Sequence, residues 1–442
     1  MLSVDSAQKR AAQWEKRREH LGGALWVFPV SFMVIALVSG TVFSLVKIPP
    51  DSWLSPVLFK GSPDEARRLL LTVATSIVGI FALVVGLTMV ALQMATNRYS
   101  PRLLRNFLRD RPTQFVLGVF VGGFTYNAAG LYTVGIEPGE YQRLAVTAGL
   151  ASLFACIGAL IYYVDHMVHS IQIDTVLRKI GSITTRTIAM EPPGIGGNSG
   201  EPIEPSLETP PESAVQIDAL ACGYVQFVHP ELILPVATAQ NLTIRVAVAA
   251  GDHLVSGLPL AWAWSNEAGR AVDAELLSST IHRAVSVGFE RTMRQDVAVG
   301  MEQIVDIALL SMHNFDFHTA VQSTNELAVI LAKLGTKPLG TETYADAEGT
   351  VRVVVPAKRF EDYVDLAVGQ IRRRGANEPV VLSALAGMLR NLGTLVTTDD
   401  RRACVAEQIQ GVLAAAHRSV PDSADVLRVQ TEADTAMRPI AV

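Results

Sequence analysis

The sequence predicts an α-helical integral membrane domain with four transmembrane helices, followed by a cytosolic α+β domain that contains a small β half-barrel. Two observations lead to this prediction. Of the 442 residues, 49% are hydrophobic and only 18% are charged, whereas soluble domains contain about 25% charged residues. Most of the apolar excess lies in four runs between residues 24 and 168, and the rest of the chain has the mixed helical and β patterning of a globular protein.

Composition and charge exclude several classes of protein. Four long apolar runs are incompatible with a purely soluble enzyme or a disordered chain, and 3 isolated cysteines are too few for a disulfide-stapled secreted domain. The formal net charge of −5 does not indicate a nucleic-acid partner. The sequence therefore locates the protein in a membrane before it suggests any activity.

The four apolar runs cover residues 24–46, 69–95, 114–134 and 144–168. Each is long enough to cross the hydrocarbon of a bilayer, which takes about 20 helical residues. Hydrocarbon offers no partner to an unpaired backbone amide, so the runs are predicted to be helices. The first run follows a basic tail (1–23), but it is too long for a signal peptide and no small-residue cleavage site follows it, so we expect a retained anchor.

Positive charge near the helix ends predicts the orientation. Lys and Arg number five in the tail and five around the second connection, against four in the first connection and one in the third. Because loops rich in Lys and Arg stay in the cytoplasm, we expect a bacterial inner-membrane protein with both termini cytoplasmic. Everything after residue 168 would then be cytosolic.

The second connection contains a predicted basic helix. Ser100 and Pro101 form a helix start, and Arg102, Arg105 and Arg109 then fall on one face. Such a helix suits the headgroup layer, with its arginines on anionic lipid. The same pattern also fits a topological anchor that pairs with acids of the cytosolic domain, and both interpretations stay open.

The membrane helices carry no Asp, Glu, Lys or Arg at mid-span, which argues against coupled transport. The second helix instead has a stripe of small and polar residues on one face. Its members are Thr72, Ser76, Gly79, Gly86 and Gln93. Small residues at such spacing usually serve helix packing. The alternative is a pore lining, which requires a homo-oligomer because four helices are too few to enclose a channel.

After the membrane helices we expect an amphipathic connector (169–190), a Pro- and Gly-rich linker (191–213) and an α+β domain (214–442). Strands are predicted at 223–228, 242–248 and 258–264, with a helix at 229–240 between the first two. These strands are similar to the half-barrel of biotin- and lipoyl-carrier domains, but no lysine stands at the hairpin tip. Helices with one strand (351–355) follow, and the tail after Pro421 is expected to fray.

The α+β domain contains one dense polar cluster that is a candidate binding site. Its members are Glu290, Arg291, Gln295, Asp296, Asp306 and Asp316. Such a cluster either binds a small ligand or ion, or forms a salt-bridge network between helices. His313, Asp316 and His318 resemble a zinc site, but a spacing of five does not place both histidines on one helical face, and a loop between two helices explains them better.

No residue qualifies as catalytic, cofactor-binding or metal-ligating on sequence grounds, and no cofactor is expected. The nucleotide-binding pattern GxxxxGK[ST] and the nucleophile pattern GxSxG are both absent from the sequence. The expectation therefore leans against an enzyme.

Residues 94–110 resemble the most characteristic segment of a bacterial family of predicted membrane proteins, catalogued as domain of unknown function 2254. Further matching segments follow in the family's order, at 223–226, 290–292, 295–296, 303–308 and 360–366. The chain departs from the family at 311–320, where both prolines of the family's loop are missing. The resemblance implies a membrane protein and supplies no activity.

Two functions are consistent with these features. The first is an oligomeric channel or permeation pathway, lined by the second helix and gated by a cytosolic regulatory domain. The second is a non-enzymatic, membrane-anchored regulator or scaffold whose cytosolic domain binds a ligand or protein partner. Anionic lipid and a second copy of the chain are the expected partners.

Overall fold

The structure is a computed structural model that describes residues 26–46, 56–98, 111–133, 142–170, 172–190, 197–199, 205–267, 272–438 and 440. The chain divides into two compact units, Met1–Thr175 and Val176–Val442, called the N-terminal unit and the C-terminal unit below. The predicted tail (1–23) and the basic helix with Arg102, Arg105 and Arg109 lie outside the described residues.

The N-terminal unit consists of four long helices in its described part. They are α1 (Val27–Leu45), α2 (Pro63–Arg98), α3 (Arg111–Thr133) and α4 (Arg143–Ser170). All four are long and apolar enough to cross a membrane, which confirms the four predicted spans. Helix α2 begins earlier than the apolar run because Ser62 and Glu65 form a reciprocal cap: the Ser62 amide donates to Glu65 Oε2 (2.7 Å) and the Glu65 amide to Ser62 Oγ (3.3 Å).

Helix α3 is the centre of this unit, since it packs against α1, α2 and α4. A Cβ atom at Gly118 would lie 2.9 Å from the ring of Phe32 in α1, and one at Gly123 would lie 3.0 Å from Cys156 Sγ in α4. Glycine at these positions lets the helices approach closely, as small residues commonly do in membranes.

The C-terminal unit begins with helix α5 (Ile173–Ala189), most of which belongs to it, and then forms two sheets. The strands are β1 (Gly197–Ser199), β2 (Val215–Asp218), β3 (Gly223–Val228), β4 (Leu242–Val246), β5 (His253–Leu254), β6 (Pro259–Ser265), β7 (Val285–Gly288), β8 (Glu342–Ala345) and β9 (Val351–Val355). The first sheet has the order β1-β8-β9-β4-β6-β2 and the second the order β5-β3-β7. All pairings are antiparallel except that of β4 with β9.

The predicted half-barrel is not confirmed. Its three predicted strands form, but β3 pairs with β5 and β7, whereas β4 and β6 join the larger sheet. Helix α7 (Pro230–Ala239) separates β3 from β4, contacts β4 and β9, and packs against α8 (Ala274–Ala284). A core that includes Ile233, Ile244 and Leu277 fills this layer.

The rest of the C-terminal unit is mainly helical. Its helices are α9 (Val297–His313), α10 (Phe317–Gly335), α11 (Phe360–Arg374), α12 (Pro379–Gly393), α13 (Asp399–Ser419) and α14 (Ser423–Met437), and a one-turn helix α6 (Pro205–Glu208) precedes β2. The expectation that the tail after Pro421 frays is wrong. Asp422 caps α14 by accepting from the Ala424 amide (2.8 Å), and Val429 and Ala433 are buried where α14 packs on α12 and α13.

Candidate functional site

Residues 290–296, called the polar segment, connect β7 to α9 and are fixed by side-chain hydrogen bonds. Gln226 Nε2 on β3 donates to the Glu290 carbonyl (2.8 Å). The Val228 amide donates to Gln295 Oε1 (3.0 Å), so an amide side chain continues the hydrogen bonding of the strand. The polar segment is therefore attached to β3, the central strand of the three-stranded sheet.

Within the polar segment, Arg291 joins two carboxylates. Its Nε and Nη2 donate to Asp296 Oδ2 (2.9 and 2.6 Å), and its Nη1 donates to both oxygens of Glu302 (2.6 and 2.8 Å). Asp296 also caps α9, because Oδ1 accepts from the Ala298 amide (3.1 Å). Burial raises the pKa of Asp296 above its ordinary value, and the positive charge of Arg291 acts against that shift.

A turn covers the Asp296 carboxylate. Gly251 has φ +95° and lies so close that a Cβ there would be 2.1 Å from Asp296 Oδ2. The turn is held to β3, because the Gly251 amide donates to the Val225 carbonyl (2.8 Å) and the Val225 amide donates to the Asp252 carbonyl (2.9 Å). Only glycine satisfies both the backbone conformation and this distance.

Helix α5 contacts the helical layer at two glycines. A Cβ at Gly300 of α9 would lie 1.9 Å from Thr184 Oγ1, and a Cβ at Gly181 of α5 would lie 1.8 Å from Glu326 Oε1 of α10. Burial raises the pKa of Glu326. Because each glycine admits a side chain of the facing helix, α5 is closely fitted to both neighbours.

Two hydrogen bonds fix the C-terminal half of α5. Thr187 Oγ1 donates to the Met293 carbonyl (2.7 Å), which ties α5 to the polar segment. Lys337 Nζ, just beyond α10, donates to the Ile188 carbonyl (2.7 Å). A cation at the end of a helix satisfies a carbonyl that has no partner within the helix.

The structure separates the other members of the predicted polar cluster. Asp316 accepts from the amide and hydroxyl of Thr319 (3.1 and 2.7 Å) and caps α10. Asp296 and Asp316 therefore flank opposite ends of α9, which is about 25 Å long at 1.5 Å per residue, and Asp306 lies on that helix between them. His313 ends α9, 3.4 Å from Arg374 Nη2, and His318 lies in the first turn of α10. No metal-binding group of three His, Cys, Asp or Glu residues occurs among the described residues.

The stripe on α2 is largely exposed in the described part of the N-terminal unit. Thr72, Gly79, Gly86 and Gln93 are exposed and Ser76 is half-buried. A Cβ at Gly79 or Gly86 would meet no described atom within 4 Å. The Thr72 hydroxyl donates to the Arg68 carbonyl of its own helix (2.8 Å), so its polar group is satisfied without water.

Arg111 lines an apolar hollow near the predicted cytosolic ends of the membrane helices. Phe28, Phe115 and Tyr162 also line this hollow, which has a volume of about 350 Å³. An arginine beside aromatic rings fits the headgroup region of a bilayer. The predicted lipid contacts of Arg102, Arg105 and Arg109 stay a prediction.

Comparison with known sequences decides the family. Residues 23–391 match the profile of a family described as "Predicted membrane protein (DUF2254)". The chain belongs to this family. It is 34% identical over 415 residues to uncharacterised proteins of Mycobacterium tuberculosis and Mycobacterium bovis, and the match covers 92% of this chain and 79% of each relative. No solved structure matches the chain significantly.

Membership in the DUF2254 family confirms the resemblance seen in the sequence and states a membrane location without an activity. Three of the segments that carry the resemblance meet at the polar segment, since Gln226 bonds to Glu290 and Arg291 to Asp296. Sequence reasoning missed Glu302 and the glycine contacts of α5. The i, i+6 spacing of Asp296 and Glu302 is not a helical pairing, and only Arg291 brings the two carboxylates together.

Proposed function

We propose that this protein is a membrane-anchored, non-enzymatic regulator whose C-terminal unit binds a ligand or partner in the cytosol and passes the resulting change to the membrane helices through α5. One observation carries the proposal: the helix that follows the last membrane helix is built into the core of the C-terminal unit. Buried residues of α5 are Val176, Leu177, Ile180, Gly181, Thr184 and Ile188.

The position of α5 in the chain makes it a mechanical connector. Helix α4 ends at Ser170 and α5 begins at Ile173, so the two helices are separated by a very short stretch of chain. Closely packed interiors do not deform continuously. A rearrangement of α9 or α10 must therefore shift α5 at Gly300 or Gly181, and this shift acts on the end of α4.

The polar segment offers a direct route to α5. Its residue Met293 accepts the hydrogen bond of Thr187, while Arg291 and Asp296 bind each other and contact the turn at Gly251. A change in the ion pairing of Arg291 would therefore alter the contacts of the polar segment with β3, with the turn at Gly251 and with α5 at the same time. This arrangement favours a segment that switches between two states over one that only stabilises the fold.

The proposal is tested by hydrogen exchange on the full chain in lipid nanodiscs. Gly300→Val would force the Thr184 side chain away from α9, and Thr187→Val would remove the bond to Met293 at nearly constant volume. We expect faster amide exchange in α5 and in the last turns of α4 for both variants. Gly387→Val is the matched control, because a Cβ at Gly387 of α12 meets no described atom within 4 Å.

One result would contradict the regulator. Amide exchange that becomes faster in α5 but stays at its wild-type rate in α4 would mean that the two helices are not coupled. Gly300→Val alone would raise exchange in α5 merely by disturbing its packing on α9. Thr187→Val excludes this explanation, because it leaves the packing at Gly300 intact.

A second candidate function is a permeation pathway in a homo-oligomer, supported by the open face of α2. Gly79 and Gly86 are not used for packing within the described chain, unlike Gly118 and Gly123. A second copy of the chain is the natural occupant of a small-residue face in a membrane.

Ion flux into proteoliposomes, with the oligomeric state recorded in the same sample, tests the pathway. Flux that is lost in Gly79→Leu and Gly86→Leu but kept in Gly158→Leu supports a pore along α2. Gly158 on α4 is a suitable control because it too has no described atom within 4 Å of its Cβ position. A monomer in lipid, or an oligomer without flux, would reject this function.

A further inference from the structure

A groove with three arginines lies between α11 and α13, near the C-terminal ends of both helices. We call it the arginine groove: Arg372 and Arg373 come from α11, Arg418 from α13, and Gly411, Ala414 and Ala415 form the α13 side. Its volume is about 470 Å³, within the range of about 300–1,000 Å³ typical of small-molecule sites.

The three arginines have no anionic partner in the described part of the chain. None of them has a carboxylate within ion-pair distance among the described residues. Asp365, two turns before Arg373 on α11, is the nearest acid along that helix. Asp365 Oδ1 and Arg373 Nη1 lie 3.0 and 3.5 Å from the Cβ position of Gly369, beyond ion-pair distance of each other. Asp365 therefore offsets the charge of Arg373 only in part.

Gly411 shows that Arg372 is positioned rather than free in solvent. A Cβ at Gly411 would lie 1.6 Å from Arg372 Nη1, so the guanidinium group lies against the backbone of α13 and would have to move if Gly411 carried a side chain. The preference of cations for helix C-termini explains why arginines end α11, but it does not explain a guanidinium fitted onto a glycine of another helix.

We propose that the arginine groove binds a phosphate-bearing anion, either a free phosphorylated small molecule or the headgroup of a lipid. Guanidinium groups offer paired donors that match the oxygens of phosphate, and three of them with only the partial compensation of Asp365 provide a net positive site. The alanines of α13 give a small apolar floor beside the charged groups. This inference rests on the proposed function, for which it supplies the ligand class.

The test is a binding titration of the full chain in nanodiscs of zwitterionic lipid, with inorganic pyrophosphate as the soluble probe and short-chain phosphatidic acid as the lipid probe. We expect binding of at least one probe, weakened about tenfold by Arg372→Gln and by Arg418→Gln, since a charge-assisted hydrogen bond contributes on that scale. The ratio of the two affinities identifies the source of the phosphate.

Two further variants make the test specific. Gly411→Val would displace Arg372 and should weaken binding without removing any charge. Arg374→Gln is the matched control, because Arg374 is adjacent in sequence but approaches His313 (3.4 Å) and does not line the groove. No binding of either probe, or equal weakening by Arg374→Gln, would overturn the proposal.

Measuring phosphate binding and amide exchange in the same sample distinguishes a failure of this inference from a failure of the proposed function. Binding that leaves amide exchange in α4 unchanged would keep the site and reject the regulator. Coupled exchange in the Gly300 and Thr187 variants without phosphate binding would keep the regulator and reject the site.

Discussion

The side-chain amide of Asn127 on α3 donates a 2.8 Å hydrogen bond to Ser152 Oγ on α4. Nδ2 also donates to the Gly123 carbonyl (2.7 Å), and Ser152 Oγ donates to the Gly149 carbonyl (2.6 Å). Asn127 is fully buried. This buried amide joins α3 to α4, as does the hydroxyl of Tyr126 on α3, which donates to the Ala145 carbonyl of α4 (3.0 Å).

Asn127→Ala should lower the free energy of unfolding of the N-terminal unit by about 1–2 kcal/mol, through the lost interhelical bond and a small cavity. Reversible unfolding in mixed micelles measures this change. Thr41→Ala is the control, since the Thr41 hydroxyl bonds only to the Leu37 carbonyl of its own helix (2.8 Å). Equal losses in the two variants would show that the bond between helices contributes nothing.

Asp296→Asn should destabilise the C-terminal unit by about 2–4 kcal/mol, because it weakens a buried ion pair and leaves Arg291 with one carboxylate. Chemical denaturation of the full chain in detergent, followed by tryptophan fluorescence, gives the value. Glu432→Gln removes an ion pair of which both side chains are about 40% exposed, Arg390 with Glu432 at 3.3 Å. That control should cost less than about 1 kcal/mol, and a similar cost for both would contradict the role given to Asp296.

Acid should weaken the β8–β9 hairpin through Asp346. Arg352 Nε donates to Asp346 Oδ2 (2.6 Å), and the amides of Glu348 and Thr350 donate to Oδ1 (both 3.0 Å). These bonds lower the pKa of Asp346 below its ordinary value of 3.8. A carboxyl with a lowered pKa stabilises the fold above its unfolded pKa, and this contribution is lost as the pH falls through the folded pKa.

Asp346→Asn should therefore lower Tm at neutral pH, and its difference from the wild type should shrink as the pH falls below about 4. Differential scanning fluorimetry at a series of pH values measures Tm for the wild type and for the variant. Asp425→Asn serves as the control, since its exposed pair with Arg428 (3.5 Å) lies on α14. A difference that stays constant from neutral to acidic pH would refute the assignment to Asp346.

Thiol labelling should report which side of the membrane the C-terminal unit occupies. Cys222 is exposed, whereas Cys156 is buried among the membrane helices. Burial, together with Glu361, Glu407 and Asp365, raises the pKa of Cys404 to about 11, and the thiolate is the reactive form. Cys222 is thus the preferred target of a membrane-impermeant maleimide.

In spheroplasts, Cys222 should be labelled only after the membrane is opened, as a cytosolic C-terminal unit requires. Cys222→Ser should abolish most of the signal and identifies the site. Labelling of intact spheroplasts would place the C-terminal unit on the outer side and would reverse the orientation predicted from Lys and Arg.

The sequence predicts those features that depend on neighbouring residues. Apolar length is a local property, so the membrane helices and strand β3 were predicted close to their observed bounds. The bond between Val228 and Gln295 joins positions 67 residues apart, and no local pattern indicates it. The strands β7 and β8, of 4 residues each, are too short to show a period.

The sequence of helix α14 contains a helix start and a buried face. Asp422 is a good helix start, and Val429, Ala433 and Ala436 recur at helical spacing on its buried face. These side chains are small, so the stretch looks too polar for a packed helix. The glycine contacts of α5 were not predictable for a different reason, since a glycine in a sequence does not indicate which side chain lies against it.

The two walls of the arginine groove come from helices that are separated in the chain by α12. The groove therefore exists only when both helices have folded against each other. An anion that binds there binds the folded C-terminal unit and not the unfolded chain, so saturating ligand should raise the thermal stability of that unit.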